Sequence, residues 1–238
     1  MSRPKRILRK NFVVFCEGDT EYNYIDKMRC KQGVHISIHP INMGGGGYSS
    51  FLHSVKTESM TNCLAKFIII DADRMKKHPG EIPKFKELFE YCKIQNQKKS
   101  VPIFLILDNP DFEFIACLHD PEYKNQNPES YIKKKYGYSS LEQFKKEKNV
   151  YALLNTTPCS YETMLERAKR LPKIIMNKYI CKKASFEIQI TDSKSDLDRM
   201  AVKGSNIDEF FEMIDWQFHF LISLSCLRVT VKHNIPKK

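Results

Sequence analysis

Three carboxylates in this chain stand where acids do chemistry. Phe67-Ile68-Ile69-Ile70 is a fully apolar run that ends in Asp71-Ala72-Asp73. This is the pattern of a strand buried on both faces that delivers acids to its own carboxyl end, where α/β sheets bind ligands. Side chains two apart on an extended chain point the same way, so both aspartates are expected to converge on one hard cation, Mg²⁺ or Mn²⁺. A second run, Asn11 to Cys16, ends in Glu17-Gly18, whose glycine permits a tight turn. Glu17 is thereby expected at the same rim. There it would complete the metal shell or act as general acid or base, while the aspartates hold the ion against a phosphodiester. The plainer alternative leaves Asp71 capping the next segment, with Asp73 and Glu17 solvated. Glu21 carries less weight, because the helix dipole favours acids in a first turn regardless of function.

The elements that must position these acids alternate strand with helix. Asn11 to Cys16 reads as a first strand, and Thr20 as the cap of a helix carrying Tyr24, Ile25 and Met28 before Gly33. Val34 to His39 alternates apolar and polar as a second strand, and Gly44 to Gly47 loops toward a helix from near Ser49. After the strand ending at Asp71, the residues Phe85, Leu88, Phe89 and Cys92 have helical spacing, and Val101 to Leu107 is another apolar strand. The expected fold is α/β: a parallel sheet of about four strands flanked by helices, with a mainly helical C-terminal half. Helical faces recur there at Met164, Leu165, Ala168 and Leu171, and at Ile207, Phe210, Phe211 and Ile214. The expected division is a core over 1–122 and a basic, mainly helical extension over 123–238 with a hydrophobic tail.

Lys and Arg number 39 against 28 Asp and Glu, a formal net charge of +11 that favours a polyanionic partner. Two stretches could hold nucleic acid. Tyr131 to Tyr138 interleaves Lys133, Lys134 and Lys135 with three tyrosines, which suits unpaired bases and backbone phosphates. Ala168 to Lys183 carries Lys169, Arg170 and Lys173 among its cations without one acid, so its field is not neutralised within the segment. Packed tyrosines and a solvated helical face are the corresponding plain alternatives.

Several function classes find no support. The eight cysteines form no C-x-x-C pair, and no cysteine and histidine cluster has zinc spacing. The glycine loop is not followed by G-K-S or G-K-T, so it is no nucleotide P-loop. There is no nucleophile elbow for a Ser-His-Asp triad. A haloacid-dehalogenase-type phosphatase needs Thr or Val where Met75 stands. The apolar run Phe12 to Cys16 is too short for a signal-peptide core, and the tail from Trp216 to Val231 is too polar and short to span a membrane. Reduced thiols in a cytoplasmic protein, without membrane association, are the expectation.

Three ordered motifs carry a resemblance: C-E-G-D-T-E-Y-N-Y from Cys16 to Tyr24, I-I-I-D-A-D-R ending at Arg74, and D-N-P-D-F-E-F-I-A-C-L-H from Asp108 to His119. They resemble the RloB family of bacterial phage-defence and restriction-locus proteins, which have a Toprim-like domain. The resemblance runs through about Trp216, with Ile115 where the family tends to have tryptophan. It implies that Glu17 is the Toprim glutamate and that Asp71 and Asp73 are metal-binding aspartates, and it marks Asn109, Pro110, Phe112, Glu113 and His119 as characteristic. By chemistry, Glu113 in a first helical turn could be another ligand or orient one. His119, six residues on, falls on nearly the opposite face.

The resulting expectation is a Mg²⁺-dependent endonuclease of antiviral defence, with RNA, including transfer RNA, favoured over DNA. Its catalytic residues would be Glu17, Asp71, Asp73 and Glu113. The alternatives are a DNA nickase of the same fold and a non-catalytic nucleic-acid-binding or sensor subunit. A third is a subunit active only in a larger homo-oligomeric or mixed assembly, docked through Phe218 to Leu227.

Overall fold

The computed structural model describes residues 11–31, 37–59, 61–98, 100–182 and 187–214. Strands β1 (Asn11–Cys16), β2 (Ser37–Asn42), β3 (Cys63–Asp71) and β4 (Ile103–Asp108) form one sheet in the order β2-β1-β3-β4. Every pairing in it is parallel. Helices α1 (Asp19–Lys31), α2 (Tyr48–Thr57), α3 (Asp73–Lys77) and α4 (Ile82–Gln97) supply the connections. The α/β layout expected from the alternating periodicities is the one observed.

Because side chains alternate along a strand, the sheet separates two apolar cores. Phe12, Val14, Phe67, Ile69, Phe104 and Ile106 face α1, while Val13, Phe15, Ile68, Ile70, Leu105 and Leu107 face α2 and α4. Each such side chain contributes about 1.5–3 kcal/mol by leaving water. On the α1 side Phe67 stacks on Phe104 at 4.9 Å and meets Phe12 edge-on at 5.3 Å.

Two local expectations shift. The second strand runs to Asn42 and includes Pro40, which an edge strand tolerates because one of its backbone rows has no partner; residues 32–36, with Val34, lie outside the described residues. Thr20 is no cap but lies inside α1, its hydroxyl donating to Glu113. Lys66 interrupts the apolar pattern of β3 yet is fully buried, donating to the Val55 and Glu58 carbonyls at 3.0 and 2.8 Å. It thereby satisfies acceptors that the end of α2 leaves open.

The C-terminal half contains helices α5 (Phe112–Cys117), α6 (Pro128–Tyr136), α7 (Leu141–Lys145), α8 (Val150–Leu154) and α9 (Tyr161–Ala168), and a helical segment over 208–214. It also contains an antiparallel hairpin, β5 (Ile175–Lys182) with β6 (Glu187–Ser195), that the helical reading of this half did not foresee. The lysines of β5 fall on alternate, more exposed positions, so a half-buried strand resembles a basic face. Among the described residues no helix is long and apolar enough to cross a membrane. Trp216 to Val231, including the segment Phe218 to Leu227, lies outside the described residues.

The outer edge of β4 is finished by side chains. The Asn96 amide bonds both the N–H and the carbonyl of Ile103, at 2.8 and 3.0 Å. The Asn206 amide accepts from Leu107 N–H and donates to the Leu105 carbonyl, both at 3.0 Å. Asn109 exchanges backbone bonds with Gly204, where a Cβ would meet the Pro172 carbonyl oxygen at 2.2 Å. Replacing Asn206 by alanine leaves two buried backbone groups unpaired, and urea unfolding should show a loss of about 3 kcal/mol. Asn206→Asp should not restore it, because a carboxylate has no proton to give the Leu105 carbonyl.

Candidate functional site

A cavity of about 320 Å³ opens at the carboxyl rim of the sheet, and Glu17, Glu21, Asp71, Asp73 and Glu113 line it together with Arg74, Lys77 and Lys145. The four acids singled out in the sequence therefore meet. They arrive by different routes. Glu17 follows β1, Asp71 ends β3, Asp73 opens α3 and Glu113 lies in the first turn of α5.

Asp71 and Asp73 do not converge by strand alternation. Ala72 between them is helical, with φ −80° and ψ −16°, so the extended chain stops at Asp71. Ala72 N–H donates to the Asp108 carbonyl at 2.8 Å and Asp73 N–H to the Pro110 carbonyl at 3.0 Å, which bends the chain over the end of β4. Asp73 reaches the cavity from this turn.

Each acid already has an internal partner. Glu17 Oε2 accepts from Asp71 N–H at 2.8 Å, and Oε1 lies 3.7 Å from Arg74 Nε. Asp71 Oδ1 accepts from Phe112 N–H at 3.0 Å. Lys77 pairs with Asp73 at 2.6 Å. Glu21 accepts from Gly18 N–H at 3.2 Å. Glu113 Oε1 accepts from the Thr20 hydroxyl at 3.2 Å, and its Oε2 lies 3.5 Å from Lys145 Nζ. Among the described residues no three of these groups are arranged to hold a metal ion, since Glu17 is turned to a backbone N–H and Asp73 to a lysine.

Sequence reasoning missed Asp108, the register partner of Asp71 at the end of β4. The signal was present, because Ile103 to Leu107 is an apolar run ending in an acid just as β3 is. Asp108 is fully buried; Ser205 donates to Oδ1, and Oδ2 has no hydrogen-bond partner among the described residues.

Burial makes this cluster electrostatically expensive. It pushes Glu21 up to about 8, with Glu113 adding repulsion. It raises Asp108 to about 7 against the Ser205 hydrogen bond, and Glu113 to about 6 against Lys145. Asp71 is driven well up by burial and then by Glu21 and Glu17. Glu17 is raised by burial despite the Asp71 N–H and Arg74. Lys145 is held protonated: burial opposes its charge, but Glu113, Asp71, Glu21 and Asp111 outweigh that. Carboxylates that raise one another in this way are relieved by protons or by a cation.

Of the other residues marked in the sequence, His119, Asn109 and Ile115 stand apart from the cavity, whereas Gly45 of the glycine loop lines it. His119 is buried, shares a 2.9 Å hydrogen bond with the Tyr24 hydroxyl, and is pushed down to about 4 by burial, so it is a neutral core histidine. Asn109 bonds the Met200 and Val202 carbonyls, and Ile115 packs in the α1-side core. The glycine loop is tied to the rim by Gly45 N–H to the Glu17 carbonyl at 2.8 Å and by Arg74 to the Gly45 carbonyl. Glu81 lies against Gly47, where α2 begins, so an acid already faces that helix start.

The basic stretches are less open than their sequences imply. Tyr131, Tyr136 and Tyr138 pack on the core, their hydroxyls directed to Asp120, Cys159 and Glu147. Lys135 pairs with Asp120 at 2.6 Å and Lys133 with Glu129 at 3.5 Å, while Lys134 lines a separate cavity. Lys173 pairs with Asp208 at 2.6 Å and Lys169 with Glu212 at 3.9 Å, so acids distant in sequence temper that field. Arg170 borders a cavity of about 420 Å³ beside Phe114 and Leu118. None of these six cations lines the rim cavity.

A carboxyl whose folded pKa is raised stabilises the fold below its unfolded value and loses that contribution as pH rises through the folded one. For Glu21 the window runs from 4.5 to about 8. In EDTA, Glu21→Gln should melt higher than wild type at pH 8.5 and converge with it near pH 4.5. A variant that melts lower at both would contradict this electrostatic account. The chain matches no protein-family model, no curated protein and no solved structure.

Proposed function

We propose that the rim cavity is the active site of a Mg²⁺-dependent endonuclease, with RNA ahead of DNA as substrate and antiviral defence as its setting. The observation that carries the reading is the meeting of Glu17, Asp71, Asp73 and Glu113 with Arg74, Lys77 and Lys145 around one opening. Acids alone would repel a phosphodiester, whereas this mixture offers oxygen ligands to a cation and positive charge to a phosphate. The donor set is all carboxylate, which fits a hard cation such as Mg²⁺ or Mn²⁺. Oε2 of Glu113, on a side chain 3 % exposed, has no hydrogen bond among the described residues and only the Lys145 ammonium 3.5 Å away, which leaves it open to an ion.

Glu17, Asp71 and Asp73 would hold the ion, Glu17 exchanging the Asp71 N–H for it. The bound ion would supply Lewis-acid stabilisation of charge on the reacting phosphate. Glu113, raised to about 6, can take up or release a proton near neutral pH, the requirement for a general acid or base. Arg74, Lys77 and Lys145 offset the phosphate charge. The preference for RNA rests on the RloB resemblance, since the tyrosines that suited base stacking are packed.

With labelled RNA, transfer RNA and DNA, cleavage should require Mg²⁺ or Mn²⁺ and stop in EDTA. Asp71→Asn and Glu17→Gln should slow it by about 10²–10³-fold, as for loss of one electrostatic contributor. Intact RNA and DNA, together with salt-sensitive binding, would instead favour a non-catalytic subunit. The engagement of Glu17 and Asp73 by internal partners is what that second reading draws on.

A further inference from the structure

The acids of the rim cavity are matched to cations of different origin. Arg74 and Lys77, which face Glu17 and Asp73, come from α3 beside the acids themselves. Lys145, which faces Glu113, ends α7 in the C-terminal half. Its position is fastened from behind. Phe144 is fully buried, stacked on Tyr136 at 6.3 Å and 19°, and edge-on to Tyr138 at 5.7 Å and 75°.

The pair that Lys145 makes is incomplete. Nζ lies 3.5 Å from Glu113 Oε2, and that oxygen has no hydrogen-bond partner among the described residues. Asp19 joins the five acids already named at the cavity, and even with Glu21 and Asp71 protonated by burial the remaining four carboxylates outnumber the three full cations. Arg74 is pinned to the Gly45 carbonyl and Lys77 lies 2.6 Å from Asp73. Lys145, on a flexible four-carbon stem, sits at 3.5 Å from its carboxylate where Lys77 sits at 2.6 Å, so its ion pair is the looser of the two although its side chain is less exposed, 38 % against 68 %.

We propose that Lys145 is the resident counter-ion of the acidic cavity: it offsets the charge of Glu113 in the metal-free protein and is released when a divalent cation enters. The inference rests on the reading of the cavity as a cation site. An ammonium a few ångströms from an entering ion opposes it, so Lys145 tunes metal affinity as well as metal-free stability.

Thermal melting across MgCl₂ and MnCl₂ series at fixed ionic strength tests this without recourse to activity. Lys145→Met should melt lower than wild type in EDTA, and its half-saturating Mg²⁺ concentration should fall by about tenfold. Lys145→Arg, which keeps the charge, should behave as wild type in both respects. Adding Glu113→Gln to Lys145→Met should abolish the gain in affinity, because the relieved oxygen is gone. Saturable binding to wild type with an unchanged or weaker response in Lys145→Met would overturn this inference alone. A wild type that binds neither ion would overturn the metal reading and this inference together.

Discussion

Strands that all run one way finish at one end of their sheet, and here that constraint gathers acids. β3 and β4 pair in parallel with Asp71 opposite Asp108, and β1 ends beside them in Cys16 with Glu17 next. A parallel sheet must be covered on both faces, so β1, β4 and β3 beyond Lys66 are apolar runs from which water is excluded up to their last residues. The burial that stabilises the sheet therefore also strips solvent from the acids at its rim. Their raised pKa values are the consequence. What keeps the arrangement tolerable is local: the Asp71 and Phe112 N–H groups, the Ser205 hydroxyl, and the three cations.

The same core ties the later part of the chain to the sheet. Tyr24 of α1 lies edge-on to Phe112, His119, Tyr151 and Phe211, so three segments from the chain beyond β4 pack around one ring. The edge of β4 is closed from both sides by Asn96 and Asn206. Edge strands left open invite pairing with other chains, and side-chain amides close this one without a fifth strand. With β4 held on its outer side, the turn from Asp108 to Asp111 and the start of α5 are fixed, and Glu113 with them.

Strand ends were readable in the sequence because burial on both faces leaves a continuous apolar run, and an acid closing such a run has few places to be. That logic found Glu17 and Asp71, and applied to Ile103 to Leu107 it would have found Asp108. It failed where the chain leaves regular structure. Asp73 depends on the turn at Ala72, which is set by the Asp108 and Pro110 carbonyls and not by local spacing. Lys145 sits in a polar stretch indistinguishable from a solvated helix, and only the burial of Phe144 brings it to the rim. The tyrosines of Tyr131 to Tyr138 had the composition of a base-stacking surface, but composition does not say which ring faces are free. Half-buried β5 lost its signal because a strand with one face in water alternates with lysines as a basic helix also does.

Two solutions to one problem stand side by side in this protein. At the edge of β4, buried backbone groups needed partners, and neutral amides supply them with every hydrogen-bonding atom used. At the rim, backbone N–H groups of Asp71 and Phe112 also needed partners, and carboxylates supply them at greater cost. An amide oxygen at Glu17 or Asp71 would accept the same bonds without the repulsion and the desolvation that charge brings. Hydrogen bonding alone therefore does not account for acids at these positions. What an acid adds over an amide is negative charge, and negative charge gathered around Glu113, whose Oε2 has no hydrogen bond among the described residues and only the Lys145 ammonium at 3.5 Å, is the physical argument for a cationic ligand in the cavity.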